Sequence, residues 1–369
     1  MKTVGLKKRT LPFRLNLRLK TSRTEQLTAG LRQAILCGRF RPGSNLPTLR
    51  EIVKETGVSL IVAREAVNRL SKEGLVNPRR GLGITVVGAA KRCWQGHVLW
   101  VIPDRDDNYQ VNMMGGVFRE CLGKAGYLVS QVTMMRDTTG RYDCSRLDVV
   151  LGQSVDLVVL VFTEPEIDRY LSKKGVPFLR VNAVARSLRG CVGEIAFSHD
   201  APVGDFVSHC RRTGVHRILQ VGYEPTSVSA VQACRAAGLE IEEWTISPLH
   251  GCGRLEAVER AALEAFQSRL TEGRCGWLPD LIFFVDDIVA DGAMKALVRS
   301  GVRIPEDVKV VSWANRGRGP VFFIPLSRLE MDPQESGETI VRAARSYLSG
   351  ARIAQGLAIG AVWHRGETA

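Results

Sequence analysis

The sequence predicts two kinds of domain in series: a small α+β module of three helices and a hairpin, then a long α/β body built on parallel sheets. Three observations carry this. The chain has 369 residues, more than one ordinary domain holds. Its charge is unevenly divided: residues 1–92 carry 20 Lys and Arg against 5 Asp and Glu, a net +15, whereas residues 93–369 carry 31 against 33, a net −2. Apolar residues recur at helical spacing up to about residue 74, and beyond about residue 97 short apolar runs alternate with helical stretches.

Composition sets the outer limits. With 45% apolar and 24% charged residues the chain has the balance of a soluble globular protein. No apolar run approaches the roughly 20 residues of a membrane helix, and the basic N-terminus lacks the apolar stretch of a secretory signal. The nine cysteines are odd in number and scattered, with no CxxC pair, which favours a reduced cytoplasmic protein and argues against a cysteine zinc site. The +15 segment reads as a polyanion binder attached to a neutral body. Met1 to Thr21, with seven Lys and Arg and no acid, is expected to be a basic arm with no required structure.

The folded part of the basic segment is expected over residues 22–88. Ser22-Arg23-Thr24-Glu25 is a capping box, followed by Leu27, Leu31, Ala34 and Ile35 on one helical face, with Gly38 and Pro42-Gly43 as the stop. A second capping box, Thr48-Leu49-Arg50-Glu51, opens a short helix closed by Gly57. Ser59 caps a third, with Ala63, Ala66, Val67 and Leu70 inward and Leu60, Ile61, Arg64, Glu65 and Asn68 on the opposite face. Leu75 to Asn77 and Ile84 to Val87 are strand-like, and between them Pro78-Arg79-Arg80-Gly81-Leu82-Gly83 is a basic, glycine-rich tip. Helices two and three are joined only by Thr56-Gly57-Val58-Ser59, so the order is that of a winged helix-turn-helix with its third helix aimed at a major groove.

These residues carry a resemblance. Leu31 to Gly38, Pro42-Gly43, Leu46 to Arg50, Gly57-Val58-Ser59, Arg64-Glu65-Ala66, Glu73 to Val76 and Gly81-Leu82-Gly83 resemble the GntR (gluconate-repressor) family of bacterial regulators over roughly residues 22–88. The resemblance implies double-stranded operator DNA as partner. Thr48 and Arg50 at the second helix, Ser59, Leu60, Ile61 and Arg64 at the third, and Arg80, Gly81 and Gly83 at the wing are the implied DNA-facing residues. The family usually has Arg after the recognition-helix Ser and often hydroxyl residues next; this chain has Leu60, Ile61 and Val62. Leu60 and Ile61 either meet thymine methyl groups or pack against the wing or another domain.

A linker is expected over 89–96, and then the α/β body from 97 to 369. Strands are expected at His97–Pro103, Leu128–Thr133, Val155–Phe162, Pro177–Asn182, Arg217–Val221, Glu240–Thr245, Leu281–Val285 and Val308–Trp313, with helices between them, including 201–213, 227–237, 254–272 and Ala290–Ser300. Such alternation means parallel sheets covered on both faces, with ligands beyond the carboxyl ends of the strands.

Val101 to Asp104, Gly126-Tyr127, Asp156 to Leu160, Phe284-Val285-Asp286-Asp287, Ile304 to Val308 and Met331-Asp332-Pro333 resemble the LacI/GalR effector domain, itself similar to periplasmic sugar-binding proteins. The resemblance, over about 97–350, implies a two-lobed α/β periplasmic-binding-protein-like domain with a ligand cleft between the lobes, a sugar-like effector and a homodimer. Asp104, Asn108 and Tyr109 follow the first strand; Arg235 stands three residues before Gly238, where the family has a ligand-binding Arg; Asp287 matches a cleft Asp; Trp313 offers an aromatic face. At each of these positions a helix cap or a surface ion pair is the rival reading, and for Arg235 the rival partner is Glu240 or Glu242. The family usually has Asp just after Trp313, where this chain has Ala314-Asn315, so a carboxylate is lost or its role moves to Asn315.

The reading is a ligand-responsive bacterial transcription regulator, a repressor in the family's usual arrangement, with no cofactor and no metal. The rival is a ligand-independent DNA-binding protein whose sensor-like body only dimerises. A fused pyridoxal-phosphate enzyme is disfavoured because the body is short and no lysine sits in an anchoring segment. No P-loop, HExxH or GxSxG is present, and His209, His216 and His250 lack partners at metal spacing.

Overall fold

The structure is a computed structural model. It describes residues 11–16, 18–79, 81–87, 94–103, 109–162, 165–181, 188–222, 228–246, 255–271, 278–318 and 324–369. The described residues form two compact units: residues 1–104, 115–195 and 340–357 in the first, and 105–114, 196–339 and 358–369 in the second.

The first unit opens with α1 (Arg23–Leu36), α2 (Leu49–Thr56) and α3 (Leu60–Lys72), then the antiparallel pair β1 (Val76–Arg79) and β2 (Gly83–Val86). Both expected capping boxes form, Ser22 with Glu25 and Thr48 with Glu51, and Ser59 caps α3 through the Val62 amide. Leu27, Leu31, Ile35, Ile52, Ala66, Leu70 and the wing's Ile84 and Val86 share one core. The wing gains an edge not foreseen: residues 43–46 pair with β2, through Gly43 to Val86 and Leu46 to Ile84.

The α/β part of this unit uses β3 (His97–Pro103), α4 (Tyr109–Lys124), β4 (Leu128–Met134), α5 (Ser145–Leu151), β5 (Leu157–Val161), α6 (Pro165–Lys174), β6 (Phe178–Val181) and β7 (Cys191–Ser198), with residues 109–114 of α4 and 196–198 of β7 counted in the second unit. The strands are all parallel in the order β4-β3-β5-β6-β7, and β3, β5 and β6 are buried throughout. That is what near-continuous apolar runs produce when both faces are covered.

The described part of the arm is ordered. Residues 11–21, as far as they are described, are packed rather than loose. Leu11, Phe13 and Leu15 pack on the helical core, and Leu19 packs on the core under β3 and β5. Asn16 donates to the Lys174 carbonyl at 2.5 Å, the Lys174 amine to the Arg18 carbonyl at 2.5 Å, and Thr21 to the Asp148 carbonyl at 3.3 Å. Apolar residues at every second position, Leu11, Phe13 and Leu15, explain this: an extended segment places them on one side. The arm thus spans from the winged helix to the sheet, and both fall in one compact unit.

The second unit adds α7 (Asp200–Arg212), β8 (Arg217–Gly222), α8 (Val228–Ala236), β9 (Glu240–Thr245), α9 (Leu255–Thr271), β10 (Leu281–Phe284), α10 (Asp287–Arg299), β11 (Lys309–Asn315), β12 (Ser327–Met331), α11 (Pro333–Leu348) and β13 (Leu357–His364). Its strand order is β13-β12-β11-β10-β8-β9, parallel except for β12 with β13. One face packs on α9 and α10 around Phe266, Phe284 and Met294; the other packs on α7 and α8 around Phe206, Phe283 and Trp313. No described helix is long and apolar enough to cross a membrane.

Candidate nucleic-acid face and ligand wall

Helix α3 divides as its sequence requires. Ala63, Ala66, Val67 and Leu70 are buried, while Arg64 and Asn68 are exposed. Leu60 is 45% exposed and Ile61 81%, so both leave apolar surface open at the N-terminal end of the face, Ile61 most of all. Glu65 is held by Arg69 in a surface pair at 3.0 Å, which leaves Arg64 as the exposed cation of the face's N-terminal half. Thr48 and Ser59 are occupied as helix caps, and Arg50 stands exposed in the first turn of α2. At the wing tip Gly81 and Gly83 take left-handed backbone, φ +81° and +96°, which only glycine adopts freely. The space beside Gly81 is open; a side chain at Gly83 would meet Asn45. Arg80 lies outside the described residues.

The ligand wall is built at the carboxyl ends of β10 and β11. Asp286 caps α10 by accepting from the Ile288 amide at 2.8 Å. Its burial, with the Asp287 charge beside it, pushes its carboxyl up to about 6. Burial also raises Asp287, against the pull of the Asn315 amide, which donates to its Oδ2 at 3.2 Å, and of the Arg318 charge. Arg318 lies over the ring of Tyr109 at 5.4 Å, and Gln110 fastens that first turn of α4 to Met331. Trp313 is 8% exposed and belongs to the core; the ring of His199 meets it edge-on at 4.7 Å. Burial holds His199 below the ordinary histidine range. Asn315 follows Trp313 by two residues, hence on the same face of β11. Two buried polar atoms here, Asn315 Oδ1 and His199 Nδ1, have no hydrogen-bond partner among the described residues. Buried polar atoms are normally satisfied, so this wall is chemically suited to a ligand rich in hydroxyl groups.

The structure therefore groups Tyr109, Asp287 and Trp313 of the expected residues within the second unit, together with Asn315, the expected substitute for the lost carboxylate, and adds Asp286, His199 and Arg318. Asp104 and Asn108 lie outside the described residues. Arg235 is 60% exposed in the last turn of α8 and pairs with Glu243 on β9 at 3.3 Å, a surface ion pair of the kind the rival reading sought at Glu240 or Glu242. Trp313 is corrected in part, since core packing takes up most of its ring. Ala314 is 2% exposed, on the opposite face from Asn315. The Asp-Asp pair at a strand-to-helix junction was the available signal for Asp286; Arg318, beyond the turn at Gly317, had none. Among the described residues no group of His, Cys, Asp and Glu could hold a metal ion.

Comparison with known proteins supports the division. Residues 23–86 match the family "Bacterial regulatory proteins, gntR family", and residues 207–363 match the "Periplasmic binding protein-like domain". The chain is 43% identical over 68 residues to the Exu regulon transcriptional regulator of Escherichia coli (18% of this chain, 26% of the relative). It is 29% identical over 80 residues to the HTH-type transcriptional regulator GalR of Streptococcus thermophilus (22% and 24%), and 27% identical over 150 residues to the lactose operon repressor of Escherichia coli (41% of each). It thus spans from a quarter to two-fifths of the length of these curated relatives. A LacI family regulator from Arthrobacter in complex with lactose matches with TM-score 0.58 at 21% identity, over 74% of this chain and 98% of that one. The Lac repressor bound to ONPG matches with TM-score 0.60 at 16% identity, over 85% and 92%. These structural matches establish the fold.

Proposed function

We propose that this chain, which joins a GntR-family DNA-binding domain at its N-terminus to a periplasmic binding protein-like domain of LacI-type fold, is a cytoplasmic transcription repressor controlled by a small carbohydrate. Helix α3 and the wing read operator DNA: Arg64 reaches a base edge or phosphate, Leu60 and Ile61 lie against thymine methyl groups, and Arg50, Gly81 and Gly83 approach the backbone. The sugar lies on the wall of Asp286, Asp287, Asn315 and Arg318. Two copies set the half-site spacing; the fold is similar to that of a dimeric Lac repressor.

The observation that carries the sensor reading is the pair of unsatisfied buried atoms, Asn315 Oδ1 and His199 Nδ1, on one face of β11. A bound hydroxyl satisfies each at a net gain of about 0.5–1.5 kcal/mol per bond. Calorimetry of the full chain against neutral sugars tests it, with operator gel shifts at each saturating sugar. Saturable binding lost in Asn315→Ala supports the reading; binding that Asn315→Ala leaves intact moves the pocket elsewhere. Ala314, buried where a carboxylate is expected, favours the second reading, a body that dimerises without ligand. A sugar panel with no binder would establish that alternative.

A further inference from the structure

A cavity of about 440 Å³ lies in the first unit, apart from both sites above. One wall is the arm, with Phe13, Arg14, Asn16 and Arg18; the other is the turn after α5, the turn from α6 into β6 with Lys174, and the turn before β7 with Arg189. Leu15, Leu151, Val155 and Pro177 give it an apolar floor, and Arg14, Arg18, Lys174 and Arg189 give it four cations. No carboxylate lines it. Asp148, beside Lys174, is already occupied: it accepts from Lys174 at 3.3 Å and from Tyr170 at 2.9 Å. The Arg18 guanidinium donates to the neutral carbonyl of Lys173. Among the described residues no acid forms an ion pair with Arg14, Arg18 or Arg189. Like charges gathered around one partly enclosed space repel, and the repulsion grows as water is excluded. A multivalent anion relieves it, and fork-shaped guanidinium groups suit phosphate and carboxylate oxygens.

We propose that this cavity binds a small multivalent anion, a phosphorylated or polycarboxylic metabolite, with Arg14 from the arm and Arg189 from the lobe as its principal partners. Because its two walls belong to the arm and to the α/β sheet, the bound anion fastens the arm to the sheet. The arm also packs on the winged helix, so the ligand stiffens the path between the DNA-binding domain and the sensor.

The test uses the full chain in chloride buffer with pyrophosphate and citrate as probes, read by calorimetry and thermal unfolding. Saturable one-site binding that raises the melting temperature is expected, with affinity reduced about tenfold or more in Arg14→Ala/Arg189→Ala and reduced less in Arg14→Lys/Arg189→Lys, which keeps the charge without the fork and controls for folding. No saturable binding, or equal binding by the alanine variant, overturns the proposal. Competition with a short random-sequence duplex separates the two sources of phosphate: displacement of pyrophosphate would make the cavity a seat for DNA backbone and likewise overturn it. Neither sugar nor operator is used, so failure here leaves the proposed function standing.

Discussion

The Asn315 amide and the Asp287 carboxylate, 3.2 Å apart, tie the end of β11 to the first turn of α10. The bond sets where the chain leaves β11, and so where Arg318 lies. Asp287→Ala strands a partly buried amide and is expected to lower stability by about 1–3 kcal/mol as well as weaken sugar binding. Asn315→Ala keeps the backbone donor but loses the side-chain bond to Asp287, and should lower affinity with a smaller loss of stability. Calorimetric unfolding and titration of both variants check this; equal destabilisation would make the Asn315 side chain structural.

Asp286 gives the second unit a pH dependence. Its folded carboxyl titrates at about 6, above the ordinary 3.8. A group raised on folding adds stability that is complete below its unfolded value and is lost as pH rises through the folded one. The loss lies between about pH 4 and 6 and amounts to at most about 3 kcal/mol. Asp286→Asn cannot ionise yet still caps α10. Its melting temperature should exceed that of the parent at about pH 7.5 and converge with it near pH 4; parallel curves would show that Asp286 is not the titrating group.

Arg235→Ala is expected to leave sugar affinity unchanged and stability within about 1 kcal/mol, since an exposed pair contributes little. Arg318→Ala, by contrast, removes the charge between Asp286, Asp287 and Tyr109 and should reduce affinity. Titration of the two variants side by side gives the answer; a larger loss with Arg235→Ala would restore the sequence expectation.

On the DNA face, Arg64→Ala should lower operator affinity by about 1–3 kcal/mol with no change in melting temperature. Ile61→Ala should be equally silent in stability, being 81% exposed, and should reduce the preference for a thymine at its contacted position. Anisotropy titrations with matched and single-substituted operators read both; unchanged preferences for each variant would remove α3 as the reader.

The arm offers a cleaner packing test. A methyl group at Gly30 of α1 would run into the ring of Phe13. Gly to Ala within a helix ordinarily stabilises by about 1 kcal/mol. Here Gly30→Ala should destabilise or loosen the arm to proteolysis, and should become stabilising in a Phe13→Ala background. Additive effects in this cycle would mean the ring does not rest on Gly30 in solution.

Much of this molecule was legible in its residues because the signals were local. Capping boxes at Ser22 and Thr48 placed two helix starts, and apolar runs such as Leu157 to Phe162 placed the buried strands. The strands that escaped notice, β7, β12 and β13, interleave Glu194, Glu330 or His364 with small residues and are only partly buried, so neither alternation nor an apolar run marks them. The candidate wall was harder to see. Asp287 is set at a strand end by pattern, but Arg318 and His199 reach the wall only through tertiary placement. Arg235 kept two readings because three residues before a glycine fixes a sequence offset, not a helical phase. The arm's charge drew attention away from Leu11, Phe13 and Leu15, whose spacing decides its packing.

The bare apolar tip of α3 has a thermodynamic consequence. Phosphate contacts by the basic segment lose strength steeply as counterions are added, whereas burial of Leu60 and Ile61 against methyl groups is insensitive to simple salts and carries a negative heat-capacity change. On the proposed DNA-binding reading, raising ionic strength strips affinity from every DNA sequence alike and leaves the apolar increment, so overall binding falls while the ratio of operator to bulk affinity holds.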